Sequence, residues 1–162
     1  MIEAFLFDWG DTLMIDFPDA KGKMCEWEKV EAVAGAKITL LSLSKQSKIY
    51  VATGAADSTE QEIKLAFERV GLSKYISGYF CKENIGFTKA EPEFLKSIIS
   101  MLKISPSNIV MVGDSFEKDI KPALASGITP IWFSSINNAV IKNVYTIKDL
   151  TDLINHKINS NI

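Results

Sequence analysis

Short apolar runs alternate along the chain with longer stretches in which apolar residues recur every three or four positions. Residues 2–7 form a continuous apolar run with little alternation, as expected for a strand covered on both faces. Further runs at 48–53 (Ile49-Tyr50-Val51-Ala52), 79–81, 109–112, 130–133 and 144–147 predict five more strands. The segment 26–44 reads as two short helices broken near Gly35, with Trp27, Val30, Val33, Ile38, Leu41 and Leu40 as the core stripe. Asp57 or Ser58 is the expected N-cap of a helix carrying Ile63, Leu65, Ala66, Phe67 and Val70, with Gly71 as its stop. Pro92 opens the next helix, whose apolar face is Phe94, Leu95, Ile98, Ile99 and Leu102. Helices over 117–126, ended by Gly127, and over 148–157 complete the pattern. The breaks fall at 14–23, where Asp16, Pro18, Asp19 and Gly22 mark a loop, around Asn84 and Gly86, and at Ser105-Pro106-Ser107.

This repeated strand, helix, strand order predicts an α/β fold: a Rossmann-like three-layer sandwich whose central parallel sheet is joined by right-handed crossovers. With 162 residues, 47% of them apolar, one core domain over 1–158 is expected, with a polar tail at 159–162. The net charge of -2, without a long block of like charges, argues against a nucleic-acid or anionic-membrane footprint. Cys25 and Cys81 match no disulfide scaffold or metal motif and read as reduced thiols of a cytoplasmic protein. Neither a signal peptide nor a membrane span is expected.

Chemistry enters at the strand ends. The first strand stops abruptly in Asp8-Trp9-Gly10-Asp11-Thr12, the second in Thr53-Gly54, and the fourth in Gly113-Asp114-Ser115 with Asp119 close behind; Lys89 sits in a loop before a helix. In an open parallel sheet these positions share one edge, where ligands bind. A carboxylate can attack phosphorus once a divalent cation neutralises the charge between them, and Mg²⁺ prefers oxygen ligands. Asp8 and Asp114 can bracket such an ion. The Lys89 ammonium, the Thr53 hydroxyl and the N–H groups of Gly54 and Ala55 can hold phosphoryl oxygens.

Four stretches in this order resemble the motifs of the haloacid dehalogenase-like hydrolase superfamily: Phe7-Asp8-Trp9-Gly10-Asp11-Thr12-Leu13, Val51-Ala52-Thr53-Gly54, Lys89-Ala90-Glu91-Pro92-Glu93-Phe94, and Val112-Gly113-Asp114-Ser115 with Asp119. The resemblance implies a phosphatase in which Asp8 forms an aspartyl-phosphate and Mg²⁺ is held by Asp8, the Gly10 carbonyl and Asp114, supported by Asp119. It also implies that Thr53 and Lys89 bind phosphate, and that Lys89 restrains the carboxylates.

Two departures stand out. Family phosphatases usually carry an acid–base Asp two residues after the nucleophile, where this chain has Gly10 and the Asp has moved to Asp11. Losing a positioned acid or base costs about 10²–10⁴-fold in rate. Three outcomes follow: a slow phosphatase, an enzyme whose leaving group needs no proton, or a phosphate- or phosphoprotein-binding module without turnover. Asp11 is the first candidate to substitute, with Asp16 and Asp19 behind it. The second departure is size: 14–34 leaves room for a short flap in place of a cap domain. An open site of this kind suits a phosphorylated macromolecule, or a small phosphorylated molecule covered by an oligomeric partner. Bland readings suffice elsewhere. Trp9, Trp27 and Trp132 read mainly as packing residues, and His156 as a cation complementing the end of the last helix.

Overall fold

A computed structural model describes residues 1–136 and 140–155. Six parallel strands pair in the order β3-β2-β1-β4-β5-β6. They are β1 (Ala4–Phe7), β2 (Lys48–Ala52), β3 (Gly78–Phe80), β4 (Ile109–Gly113), β5 (Thr129–Phe133) and β6 (Tyr145–Ile147). All six predicted strands are present, and the fold is the expected Rossmann-like sandwich. β1 lies between β2 and β4, with Phe7 opposite Val51 on one side and Val112 on the other.

Each face of the sheet has its own core, which is why the strands read as unbroken apolar runs. Phe5 and Phe7 point to the face covered by α1 (Ala36–Leu43), α2 (Glu60–Arg69) and α6 (Asp152–Asn155), where Leu40, Phe67 and Leu153 pack with them. Ala4 and Leu6 point to the opposite face, under α3 (Lys82–Ile85), α4 (Pro92–Leu102) and α5 (Lys121–Ala125), against Phe94, Ile98 and Ala123. The chain winds outward from β1 to β3 through α1 and α2, then returns under α4 to enter β4 on the other side of β1. Right-handed crossovers demand that change of face when the direction of winding reverses. The reversal leaves a crevice between the carboxyl ends of β1 and β4, the place where ligands of such sheets bind.

Local expectations needed several corrections. Residues 26–35 are not helical: only the 3₁₀ turn Met24–Glu26 forms there, and the chain then runs extended, with Met14 bridging Ala32. α1 starts after Gly35, which takes φ 79, so the helical phase is reset at that point. The stripe drawn across the break therefore fails beyond it: Ile38 and Leu41 face solvent while Ala36, Thr39 and Leu40 are buried. In α2 the buried set is Ile63, Ala66 and Phe67, and Leu65 is exposed. Its cap is Thr59 rather than Asp57 or Ser58, because Thr59 and Glu62 satisfy each other's backbone N–H groups in a capping box. The turn at Asn84 and Gly86 is the short helix α3, closed by Gly86 at φ 84. The helix placed at 117–126 is a π-helical turn, Phe116–Ile120, running into α5. The last predicted helix is seen as α6; His156 and the tail from residue 159 lie outside the described residues. Among the described residues, no helix is long and apolar enough to cross a membrane.

Candidate active site

The edge of the sheet at β1 and β4 gathers the predicted residues into a cavity of about 590 Å³, lined among others by Asp8, Gly10, Asp11, Thr53, Gly54, Lys89, Asp114 and Asp119. Asp8 follows β1 directly, and its N–H donates to the Val112 carbonyl at 2.9 Å, so β4 sets its height. After it the chain folds into a tight turn in which the N–H groups of Thr12, Leu13 and Met14 all point at the Trp9 carbonyl. Trp9 is buried against Phe67, with ring centroids 6.0 Å apart. Packing dominates its role, although its edge lines the cavity.

Asp8, Asp114 and Asp119 each present a carboxylate oxygen within 4.8 Å of the others. Lys89, 7% exposed, spans two of them: its Nζ lies 2.6 Å from Asp8 Oδ1 and 2.5 Å from Asp119 Oδ1. Burial alone would depress that ammonium, but the neighbouring charges of Asp8 and Asp119 outweigh it and hold its pKa above the usual lysine range. Lys89 is delivered by a turn in which Glu91 accepts from both the N–H and the hydroxyl of Thr88, just ahead of Pro92. Asp119 sits behind the other carboxylates, 1% exposed, and accepts the Ser115 N–H at 3.0 Å. Burial raises its pKa, with Lys89 pulling the other way.

Asp119 occupies the space a side chain at 113 would need. A Cβ on Gly113 would lie 2.2 Å from its Oδ2. The π turn brings Asp119 back over the strand end, and sequence patterning held no signal for either feature beyond the Gly-Asp pair itself. The Asp114 carboxyl accepts from the buried Thr12 hydroxyl at 3.2 Å, and its backbone carbonyl accepts from Trp132 Nε1 at 3.0 Å. Thr12 was missed because a threonine after a strand reads as ordinary turn chemistry. Desolvation, followed by the charge of Asp8, pushes the Asp114 carboxyl up to about 6. The cluster sets the carboxylates of Asp8, Asp114 and Asp119 against the Lys89 ammonium, which leaves an excess of negative charge at Asp8 and Asp114. That excess fits a hard divalent cation at the exposed side of the cluster.

Thr53 is buried, and its hydroxyl accepts the Ala55 N–H at 3.1 Å. The Ala55 N–H is therefore already engaged, and the hydroxyl hydrogen is the group Thr53 can offer a phosphoryl oxygen. Gly54 has Lys89 alongside, with the Lys89 Cβ 3.5 Å from where a Cβ would stand. The opposite wall comes from the 14–34 segment, which contributes Gly22, Lys23, Met24 and Trp27. That wall is tied to α2: Lys23 pairs with Glu62 at 2.7 Å, and Arg69 donates to the carbonyls of Cys25, Trp27 and Glu28.

Asp11 takes φ 56, in the left-handed region. Its Oδ1 accepts the Asp16 N–H at 3.0 Å, and its own N–H donates to the Met14 carbonyl at 2.7 Å. The Asp16 side chain lies over Gly10, with its Cβ and Oδ2 at 3.3 and 3.4 Å from where a Cβ on residue 10 would stand. Desolvation, then the charges of Asp11 and Asp8, raise its carboxyl pKa above the ordinary value.

A parallel α/β sheet that carries an acidic cluster and a buried lysine at its switch point belongs to the class of open α/β folds with their ligand site at the carboxyl edge. The match to the family model for haloacid dehalogenase-like hydrolases over residues 11–127 then makes the chain a member of that family. It is 30% identical over 141 residues to a ribulose-1,5-bisphosphate 5-phosphatase of Halopiger xanaduensis, covering 78% of this chain and 58% of that protein's length. Its fold is similar to a Listeria monocytogenes protein (TM-score 0.79, 22% identity, 93% and 94% of the two chains). It is also similar to the HAD-hydrolase YfnB of Bacillus subtilis bound to magnesium (TM-score 0.77, 16% identity, 99% of each chain).

Proposed function

We propose that the chain is a Mg²⁺-dependent phosphomonoesterase that works through an aspartyl-phosphate on Asp8. The observation that carries this reading is the meeting of Asp8, Asp114 and Asp119 within 4.8 Å at the sheet edge, bridged by Lys89. The relative from Halopiger xanaduensis being a named phosphatase supports it. Asp8, the Gly10 carbonyl and Asp114 would hold the ion, with Asp119 behind them. Bound Mg²⁺ supplies the positive charge that lets a carboxylate approach a phosphoryl group.

The chain's own residues then divide the remaining work. Asp8 attacks in line, as a carboxylate anchored by β4 through its backbone. Lys89 fixes the Asp8 carboxylate by its 2.6 Å contact and presents positive charge to a phosphoryl oxygen. The hydroxyl of Thr53 and the backbone at Gly54 hold the other oxygens, so that the phosphoryl group sits pre-aligned before bond making begins. Asp11 shapes the turn through its bond to Asp16. The substrate is a phosphorylated small molecule or macromolecule, and the 14–34 segment serves as a flap at the mouth rather than a cap.

Turnover of para-nitrophenyl phosphate with Mg²⁺ tests the reading. Hydrolysis that requires the metal and falls by at least about 10³-fold in Asp8→Asn is expected. Mg²⁺ and phosphate binding without hydrolysis would replace the enzyme by a binding module on the same fold.

A further inference from the structure

An alkyl phosphate cannot be cleaved efficiently unless its departing oxygen receives a proton, so some group beside Asp8 has to hold one. Among the carboxyl groups that line the cavity, few are free to do so. Lys89 is committed to Asp8 and Asp119, and Asp119 is buried behind it. Asp114 is given to the ion, together with Asp8, in the reading above. Lys23 is paired with Glu62, and Asp57 accepts from the Ser58 hydroxyl. Asp11, next to Gly10 in sequence, spends its carboxylate on the Asp16 N–H from a left-handed backbone.

Asp16 differs from all of these. It lines the cavity, and among the described residues no hydrogen bond or ion pair engages its carboxyl. Its side chain reaches back across six positions to stand where a residue-10 side chain would be, with Cγ 3.6 Å from the Cβ that Gly10 lacks. Resting on the phosphatase reading above, we infer that Asp16 is the proton donor to the leaving oxygen, that the missing side chain at Gly10 makes the room it needs, and that Asp11 is the residue that positions it.

The step balances as follows. An Asp8 oxygen forms a bond to phosphorus as the ester P–O bond breaks. The electron pair of that bond goes to the departing oxygen, which takes the Asp16 proton and leaves as an alcohol. Water then attacks the phosphorus of the aspartyl-phosphate, giving a proton to the Asp16 carboxylate as the Asp8 O–P bond breaks and its electron pair returns to Asp8. Asp8 and the protonated Asp16 are restored, and hydrogen phosphate is released.

The test compares kcat/KM for glycerol phosphate and for para-nitrophenyl phosphate, since kcat/KM reports only the steps up to departure of the leaving group. Asp16→Asn is expected to lower the alkyl ester about 10²–10⁴-fold. The aryl ester, whose phenolate departs with little help, should fall at least tenfold less. Mg²⁺-dependent binding of beryllium fluoride, read by tryptophan fluorescence, should keep its affinity in the same variant, because Asp16 holds neither ion nor phosphoryl oxygens. Equal losses on both esters, loss of beryllium fluoride binding, or an alkyl ester unaffected by Asp16→Asn would overturn the assignment. A wild-type protein that turns over the aryl ester alone would overturn it too, leaving the phosphatase reading intact. No turnover of either ester would overturn both.

Discussion

Gly113 and Asp119 show how closely this site depends on an absent methyl group. A Cβ on Gly113 would press on the Asp119 carboxyl at 2.2 to 2.5 Å, a distance no side chain tolerates, and Asp119 cannot retreat without leaving Lys89 and the Ser115 N–H. Gly113→Ala should therefore destabilise the protein by about 2 kcal/mol or more in a denaturant titration, through overpacking and a broken buried ion pair. It should also remove the turnover of para-nitrophenyl phosphate proposed above. Asp114 makes a prediction of opposite sense. In the metal-free protein its carboxyl is raised to about 6 by desolvation and by Asp8, so between its ordinary value near 4 and that value the folded state holds a proton the unfolded chain releases. Its contribution to stability is thus present at the acid end and is lost as pH rises through 6. Thermal melts from pH 4 to 7 should show wild type losing stability relative to Asp114→Asn as pH rises. Added Mg²⁺ should reverse the difference near neutrality.

The elements around the site are held at different strengths. β1 and β4 share backbone register and a core on both faces, so Asp8 and Asp114 move only if the sheet does. The 14–34 wall rests on the core through Met24 and Trp27 and is tied at its rim by Arg69, which grips the carbonyls of Cys25, Trp27 and Glu28, and by Lys23 pairing with Glu62. The Arg69 contacts are exposed, and water substitutes for them readily. Arg69→Ala should accordingly cost only about 1 kcal/mol globally, yet hydrogen exchange at residues 24–28 should speed up markedly while β1 and β4 amides stay protected. A higher KM with little change in kcat would accompany it if the wall contacts substrate. The same segment marks where pattern reading failed. Trp27, Val30 and Val33 recur at helical spacing, but they belong to an extended run that packs on the core and bridges Met14. Spacing records which residues turn inward and not which backbone turns them.

Taken whole, the molecule places one acidic cluster where the direction of winding reverses, and occupancy of that crevice should couple to global stability. Mg²⁺ at about one hundred times its dissociation constant should stabilise the fold by about 2.7 kcal/mol if it binds the folded state alone. A melt in which Asp8→Asn and Asp114→Asn abolish that shift, while Asp19→Asn leaves it intact, checks the assignment. The succession of strands along the chain, their parallel pairing, the burial of the first strand on both faces, and the set Asp8, Thr53, Lys89 and Asp114 at one edge were all readable from the chain. Continuous apolar runs demand two covering layers, and a parallel sheet brings every strand's carboxyl end to the same side. The position of Asp119 over Gly113, the hydroxyl of Thr12 on Asp114, and the return of Asp16 into the space above Gly10 were not. Each depends on where a side chain stands after the backbone has curved in three dimensions. A one-dimensional pattern carries periodicity and residue type, which set layers and strand ends; close approach between residues far apart along the chain, or across a tight loop, is set by packing.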